Sequence, residues 1–234
     1  MNHRTPLLNY LDSFIHGSVV SLTGSGGKTS LLKKLGAYER SLGKSVLLTT
    51  TTKLGSPNLV DYACDSIYLD DSIISSPKAK GTTEFLAWPF SSDKVCSPPF
   101  ELISRLVGLY DIILIEADGA KHLPLKLHGP HEPVVIPQTT TTIAMAGIRE
   151  WGNLANPSNF FNFQMLADSI LINEDLIALL LDSPNGLLKN AVGRKIVLVN
   201  QVEIVTAAVD YSRFRKYFED TYLTSIKENW IELT

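Results

Sequence analysis

The stretch Gly24-Ser25-Gly26-Gly27-Lys28-Thr29-Ser30 sets glycines, a lysine and hydroxyls side by side. Residues of these types in this order suit phosphate. Gly24, Gly26 and Gly27 let a backbone close around an anion with no Cβ in the way. Lys28 would reach the β- and γ-phosphates of a nucleotide, and the Thr29 hydroxyl would hold Mg²⁺. Ser25 and Ser30 belong to the same cofactor-binding stretch. Leu22 stands where the usual P-loop spacing has its first glycine, so the loop reads as a variant. A glycine-rich turn that binds nothing is the plain alternative.

A second chemical stretch follows the apolar run that starts at Tyr110 and ends in Glu116-Ala117-Asp118-Gly119. Carboxylates leaving a buried strand beside a phosphate loop take Mg²⁺ or polarise a water. Glu116 and Asp118 are two apart, so along an extended chain they point the same way. Lys28, Glu116 and Asp118 are the catalytic candidates, with Thr29 and Asp118 on the metal. A pair of charges capping a strand end is the bland reading.

Two further groups could join a second substrate or a switch, and a third could bind the nucleotide's base. Thr49 to Thr52 and Lys53 close a strand where α/β sheets place ligands. Thr51 and Thr52 could touch phosphate, Mg²⁺ or water, although β-branched residues also suit a strand end, and Lys53 leans to a solvated surface role. The proline-stiffened segment 121–137 would display Lys121, Lys126, His128, His131 and Glu132 near a γ-phosphate. His128, His131 and Glu132 could instead ligate a metal, though prolines obstruct a helical ligand array, and a rigid surface loop is the other reading. Finally, Asn200-Gln-Val-Glu203 resembles the NKxD element with which many GTPases read guanine. Gln201 replaces the stacking lysine and Glu203 the aspartate, so a plain strand-to-helix turn weighs equally.

These residues need elements to hold them. Ser18–Gly24 reads as a buried strand, and Leu31, Leu32 and Leu35 take up a helical period that ends near Gly43. With a strand at 45–50 this makes a βαβ unit and a parallel sheet. The apolar spacing predicts helices at 7–16, 100–109, 162–170, 174–182 and 204–225. It predicts strands at 110–116, 140–147 and 195–200, with a closing edge strand near 230–233. Residues 54–99 read as an irregular insertion of small strands and turns. The expectation is one doubly wound α/β domain, mainly parallel and P-loop NTPase-like, spanning 1–234.

Composition narrows the partners. The net charge of -3 gives no basic face for nucleic acid. No run approaches a membrane span and the first residues lack the apolar core of a signal peptide, so the cytoplasm is the expected location. Cys64 and Cys96 stand alone, which argues against a zinc site or a disulfide framework.

The motifs GSGGKTS, TTTTK, EADGAKHLPLKLHGPHEPVVIP, INEDLIALLLDSPNGLLKNAVGRK and VLVNQVE occur in that order. Together they resemble the YqeC-type proteins, described as accessory proteins of selenium-dependent molybdenum hydroxylases. The resemblance covers most of residues 18–203 and is most specific at EADGAKHLPLK and HEPVVIP. It implies a P-loop NTPase-like fold and a supporting role in maturing a molybdenum enzyme. By position, Lys28 and Thr29 match its phosphate and Mg²⁺ residues, Glu116 and Asp118 its acidic strand end. Lys126 and Glu132 match its post-strand motif, and Asn200 its late strand.

Three functions compete. The first is a Mg²⁺-dependent nucleoside triphosphatase using ATP or GTP to serve a client hydroxylase, as a homodimer by analogy of fold. The second is a small-molecule kinase with Lys121, Lys126 and His128 holding the acceptor. The third is a non-catalytic module that uses nucleotide as a structural ligand.

Overall fold

Alternation along one buried strand sets the plan of the molecule. In β2 (Val19–Gly24) every residue is buried. Val20 and Leu22 face one core with helices α1 (Leu7–Phe14) and α2 (Lys28–Ser41). Val19 faces the other, with α3 (Phe100–Leu106). A strand buried on both faces needs helices on both sides, and Val19, Val20 and Leu22 are apolar for that reason, with Ser21 and Thr23 buried among them. The computed structural model describes residues 3–233. Met1, Asn2 and Thr234, which the single-domain expectation takes in, lie outside the described residues.

The sheet has ten strands. On one side of β2 lie β9 (Ile112–Glu116), β3 (Val46–Thr50), β6 (Thr83–Leu86) and β5 (Ser66–Tyr68), all parallel. On the other side lie β11 (Thr141–Gly147), β13 (Arg194–Asn200) and β14 (Thr221–Ser225), also parallel. β15 (Trp230–Leu233) runs antiparallel to β14, and β1 (His3–Pro6) pairs antiparallel with β15 at the edge. The chain leaves β2 through α2 to β3, returns to β9, then crosses to β11. That reversal makes the carboxyl ends of β2, β9 and β11 the switch point at which α/β sheets bind ligands. A third core packs α4 (Glu174–Asp182) and Phe214 of α5 (Ser212–Arg215) against Ala144, Val197 and Val199. The fold is α/β with a large, mainly parallel sheet.

Several elements depart from the sequence reading. The helix expected at 162–170 is a single 3-10 turn, Phe163–Met165. The Ser169 hydroxyl there donates to the Ala155 carbonyl at 2.7 Å instead of continuing a helix. The helix expected at 204–225 shrinks to the four residues of α5, because Thr221–Ser225 pair with β13 as a strand. The strand near 230–233 is present but is covered by β1, so it is not the edge. In the insertion, β4 (Leu54–Gly55), β7 (Trp88–Pro89) and β8 (Lys94–Cys96) form a separate small sheet. β5 and β6, by contrast, extend the main one. No helix among the described residues is long and apolar enough to cross a membrane.

Candidate functional site

The glycine loop joins β2 to α2, and no side chain caps the N-terminus of α2. The first amides of a helix have no intrahelical partner, so an uncapped start offers donors and the positive end of the dipole to an anion. The loop is pinned from behind by the neighbouring strands. The Ser25 amide donates to Met145 O at 2.8 Å, and its hydroxyl to Pro124 O at 2.8 Å. Gly26 sits at φ +81°, and a Cβ there would lie 2.3 Å from Gly147 Cα. Gly27 sits at φ +137°, and a Cβ would lie 2.8 Å from Asn200 Nδ2. These glycines are therefore required by close approach to β11 and β13, apart from any room that they clear for an anion. Ser30 is exposed on α2.

Lys28 is buried and folded back over the loop, donating to Gly24 O. Its ammonium is 3.2 Å from Asp118 Oδ1 and 3.9 Å from Glu116 Oε1. The Thr29 hydroxyl donates to Glu116 Oε2 at 2.8 Å. The carboxylate beside the Thr29 hydroxyl is thus Glu116, whereas the sequence spacing favoured Asp118. Glu116 ends β9 level with the loop, while Asp118 has already turned into other company.

That company is a buried ion cluster. Asp118 Oδ2 accepts from the Gly24 amide at 3.0 Å and from His128 Nε2 at 2.7 Å, and Lys126 Nζ is 2.9 Å away. Lys126 also donates to Gly119 O at 2.7 Å and to Glu132 Oε2 at 2.9 Å. His128 Nδ1 lies 2.8 Å from Gly186 O. Both ring nitrogens therefore face acceptors. Lys126 and His128 are fully buried. The expectation that they are displayed to a second substrate is corrected: charged side chains can be interior when each donor has a partner. Lys126 comes from β10 (Leu125–Lys126), which pairs with β12 (Phe160–Phe161).

The two carboxylates diverge electrostatically. Burial pushes the Glu116 carboxyl up, outweighing Lys28 and the Thr29 hydrogen bond. Burial acts the same way on Asp118. There, however, Lys28, the His128 hydrogen bond and Lys126 outweigh it and hold the carboxyl below the usual range. The same burial thus ends in opposite directions at two acids two residues apart, and the difference lies in how many donors face each one.

The remaining candidates are dispersed. Thr50 and Thr51 spend their hydroxyls on backbone, donating to Glu116 O at 2.8 Å and Val134 O at 2.6 Å. Thr52 faces Gly119 at the rim. Lys53 is exposed, with its ammonium 3.7 Å from the centre of the Phe90 ring, away from the loop. Lys121 is exposed in the left-handed region at φ 47°. His131 is exposed, and among the described residues no group of three or more His, Cys, Asp or Glu side chains is placed to hold a metal. The three-ligand cluster of His128, His131 and Glu132 is therefore not formed. The Asn200 carboxamide is engaged at both ends, donating to Gly26 O at 2.8 Å and accepting from the Ile226 amide at 2.9 Å. It braces the loop and is not free to read a base. Gln201 lies against Gly147, and one Glu203 carboxylate oxygen is buried without a hydrogen-bond partner among the described residues. The sequence reading missed Gly147 and Pro124 as loop supports; the only signal was a glycine closing β11 and a proline soon after β9.

Fold and site together define an α/β protein with an uncapped helix start, a lysine and two divergent carboxylates at the carboxyl edge of its central strands. The YqeC protein family matches residues 20–164. The "Uncharacterized protein YqeC" of Escherichia coli (strain K12) is 34% identical over 185 residues, covering 74% of this chain and 71% of that one. The chain belongs to the YqeC family. No solved structure matches it.

Proposed function

We propose that this protein binds a nucleoside triphosphate with Mg²⁺ at the β2–α2 loop and hydrolyses it. One observation carries the reading: Lys28 and Thr29, at the uncapped start of α2, meet the β9 carboxylate Glu116 across 3.9 and 2.8 Å. The residues fit both groups. Lys28 and the free amides of the first helical turn would take the phosphates. The hydroxyl of Thr29 and the carboxylate of Glu116 are adjacent hard oxygen ligands of the kind Mg²⁺ prefers. A bound Mg²⁺ would neutralise charge on the transferring phosphoryl group.

The chain's own work is placement, which dominates phosphoryl transfer. Asp118, already satisfied by three donors on one oxygen, holds Gly24 and remains an anion when Lys28 turns to phosphate. Asn200 and Gly147 keep the loop from moving away from its ligand. The family resemblance adds a setting, in which turnover in the cytoplasm would serve maturation of a client molybdenum hydroxylase, with a homodimer as the assembly expected by analogy.

The test is phosphate release from ATP and from GTP with Mg²⁺, for wild type, Lys28→Ala and Glu116→Gln. Hydrolysis of one nucleotide should fall at least about 100-fold in both variants. Binding without hydrolysis in wild type would leave a nucleotide-binding module. Release only when an anionic small-molecule acceptor is added would mark a kinase.

A further inference from the structure

The proposed reaction gives Lys126 and His128 nothing to do, yet both are fully buried, and burying polar or charged groups is costly unless every donor is matched. Lys126 spends its three donors on Asp118, Glu132 and the Gly119 carbonyl. His128 lies between Asp118 and the Gly186 carbonyl. Their shared target is Oδ2 of Asp118, which also accepts the Gly24 amide. Three donors on one oxygen fix the carboxylate's rotation. Its other oxygen, Oδ1, is then turned to Lys28 at 3.2 Å and has no hydrogen-bond partner among the described residues.

We propose that Lys126 and His128 are positioning residues that act through Asp118 to hold the glycine loop and Lys28 in register. The consequence is a division of labour on a single carboxylate. Oδ2 is permanently occupied and anchors the backbone at Gly24, while Oδ1 is engaged only by Lys28. Lys28 can leave Oδ1 for a phosphate without releasing the anchor. The anchor itself is held from outside the site. Glu132 accepts from the Gly129 amide at 3.2 Å and from Asn162 Nδ2 at 3.3 Å, and Lys189 Nζ donates to Gly129 O at 2.6 Å. The His128 amide donates to Asn185 O at 2.8 Å. The segment between β9 and β11 therefore transmits the rigidity of the α4–β13 connection to the phosphate loop. Its importance for nucleotide rests on the proposed function; the anchoring does not.

Amide hydrogen exchange on the full chain, without nucleotide, tests the anchoring directly. In Lys126→Met, exchange at Gly24 and through residues 24–28 should speed up about tenfold while amides of β13 and α4 keep wild-type rates. Adding Asp118→Asn to Lys126→Met should speed the loop no further than Asp118→Asn alone, since the lysine acts through that carboxylate. Unchanged loop exchange in Lys126→Met would overturn the proposal. Equal acceleration across the whole sheet would do so too, because it marks a merely structural residue. Should Lys126→Met fail to fold, Glu132→Gln removes only the outer arm. It should quicken the same amides about threefold, and no change there overturns the idea as well. If instead the loop loosens as expected while wild type binds neither ATP nor GTP, the nucleotide reading fails and the anchoring stands.

Discussion

Two buried carboxylates at opposite ends of the sheet show what separates a site from a staple. At the amino end, Glu39 in the last turn of α2 has a fully buried side chain. Its partner is Lys44, which also reaches Asp12 at 2.7 Å and is itself 36% exposed. Burial dominates there and pushes the Glu39 carboxyl up despite that lysine. At the carboxyl end, Asp118 is as deeply buried but faces Lys28, Lys126 and His128, all buried with it, and its carboxyl is held down. Glu39 has one lysine that is itself partly exposed, whereas Asp118 has two buried lysines, a buried imidazole and the Gly24 amide, and the two carboxyls shift in opposite directions. Glu39 ties α2 and α1 to the start of β3; Asp118 ties the glycine loop at Gly24 to Lys126 and His128 of the segment after β9.

The sharpest way to break this contrast is Asp118→Ala. Removing this carboxylate takes the nearest counter-charge from two buried lysines and leaves Lys126 only Glu132, and the loss should be about 3–5 kcal/mol in urea unfolding. Glu39→Gln removes a group whose burial already favours the neutral form, so its cost should stay below about 1 kcal/mol at neutral pH. A cost as large as that of Asp118→Ala would erase the distinction.

The pH dependence should differ in sign. The stability contributed by Asp118, whose folded carboxyl is lowered, is present above the unfolded value near about 4 and lost as pH falls below it. The contribution of Glu39, whose folded carboxyl is raised, is present below its unfolded value near about 4.3 and lost as pH rises through the higher folded one. Urea midpoints measured from pH 3 to 8 should therefore flatten on the acid side in Asp118→Asn and above pH 4 in Glu39→Gln. The smallest effect belongs to Lys53→Ala. This cation rests on Phe90 at the surface, and its loss should cost less than about 0.5 kcal/mol and leave nucleotide binding unchanged.

The central strands were legible because burial on both faces makes them apolar nearly throughout, continuously in Ile112–Ile115 and with Ser21 as the one interruption in Val19–Leu22. The glycine loop and Glu116 were legible because their residue types occur at strand ends in sequence order. The interior placement of Lys126 and His128 was not. Charged side chains read as exposed until their partners are known, and their partner is a carboxylate on a different strand's exit. β1 was equally hidden, since His3–Pro6 carries no apolar pattern and exists as a strand only by pairing with β15. The apolar spacing of Val205, Val209 and Phe214 imitated a helical period. In the structure Val205 and Val209 cover the α4 core from irregular backbone and Phe214 from the single turn of α5, so no one helical period joins them. Asn200 was found at the right strand end, with base recognition and a plain turn left level, because nothing local in NQVE shows that its carboxamide braces Gly26.

The measurement that bears most directly on the central claim is a calorimetric titration with ATP and with GTP, in Mg²⁺ and in EDTA, for wild type and Lys28→Ala. The account predicts saturable binding of one nucleotide, at least about tenfold weaker without the metal and lost in the variant. Absence of binding by either nucleotide at millimolar concentration would contradict it, as would binding indifferent to both Mg²⁺ and Lys28.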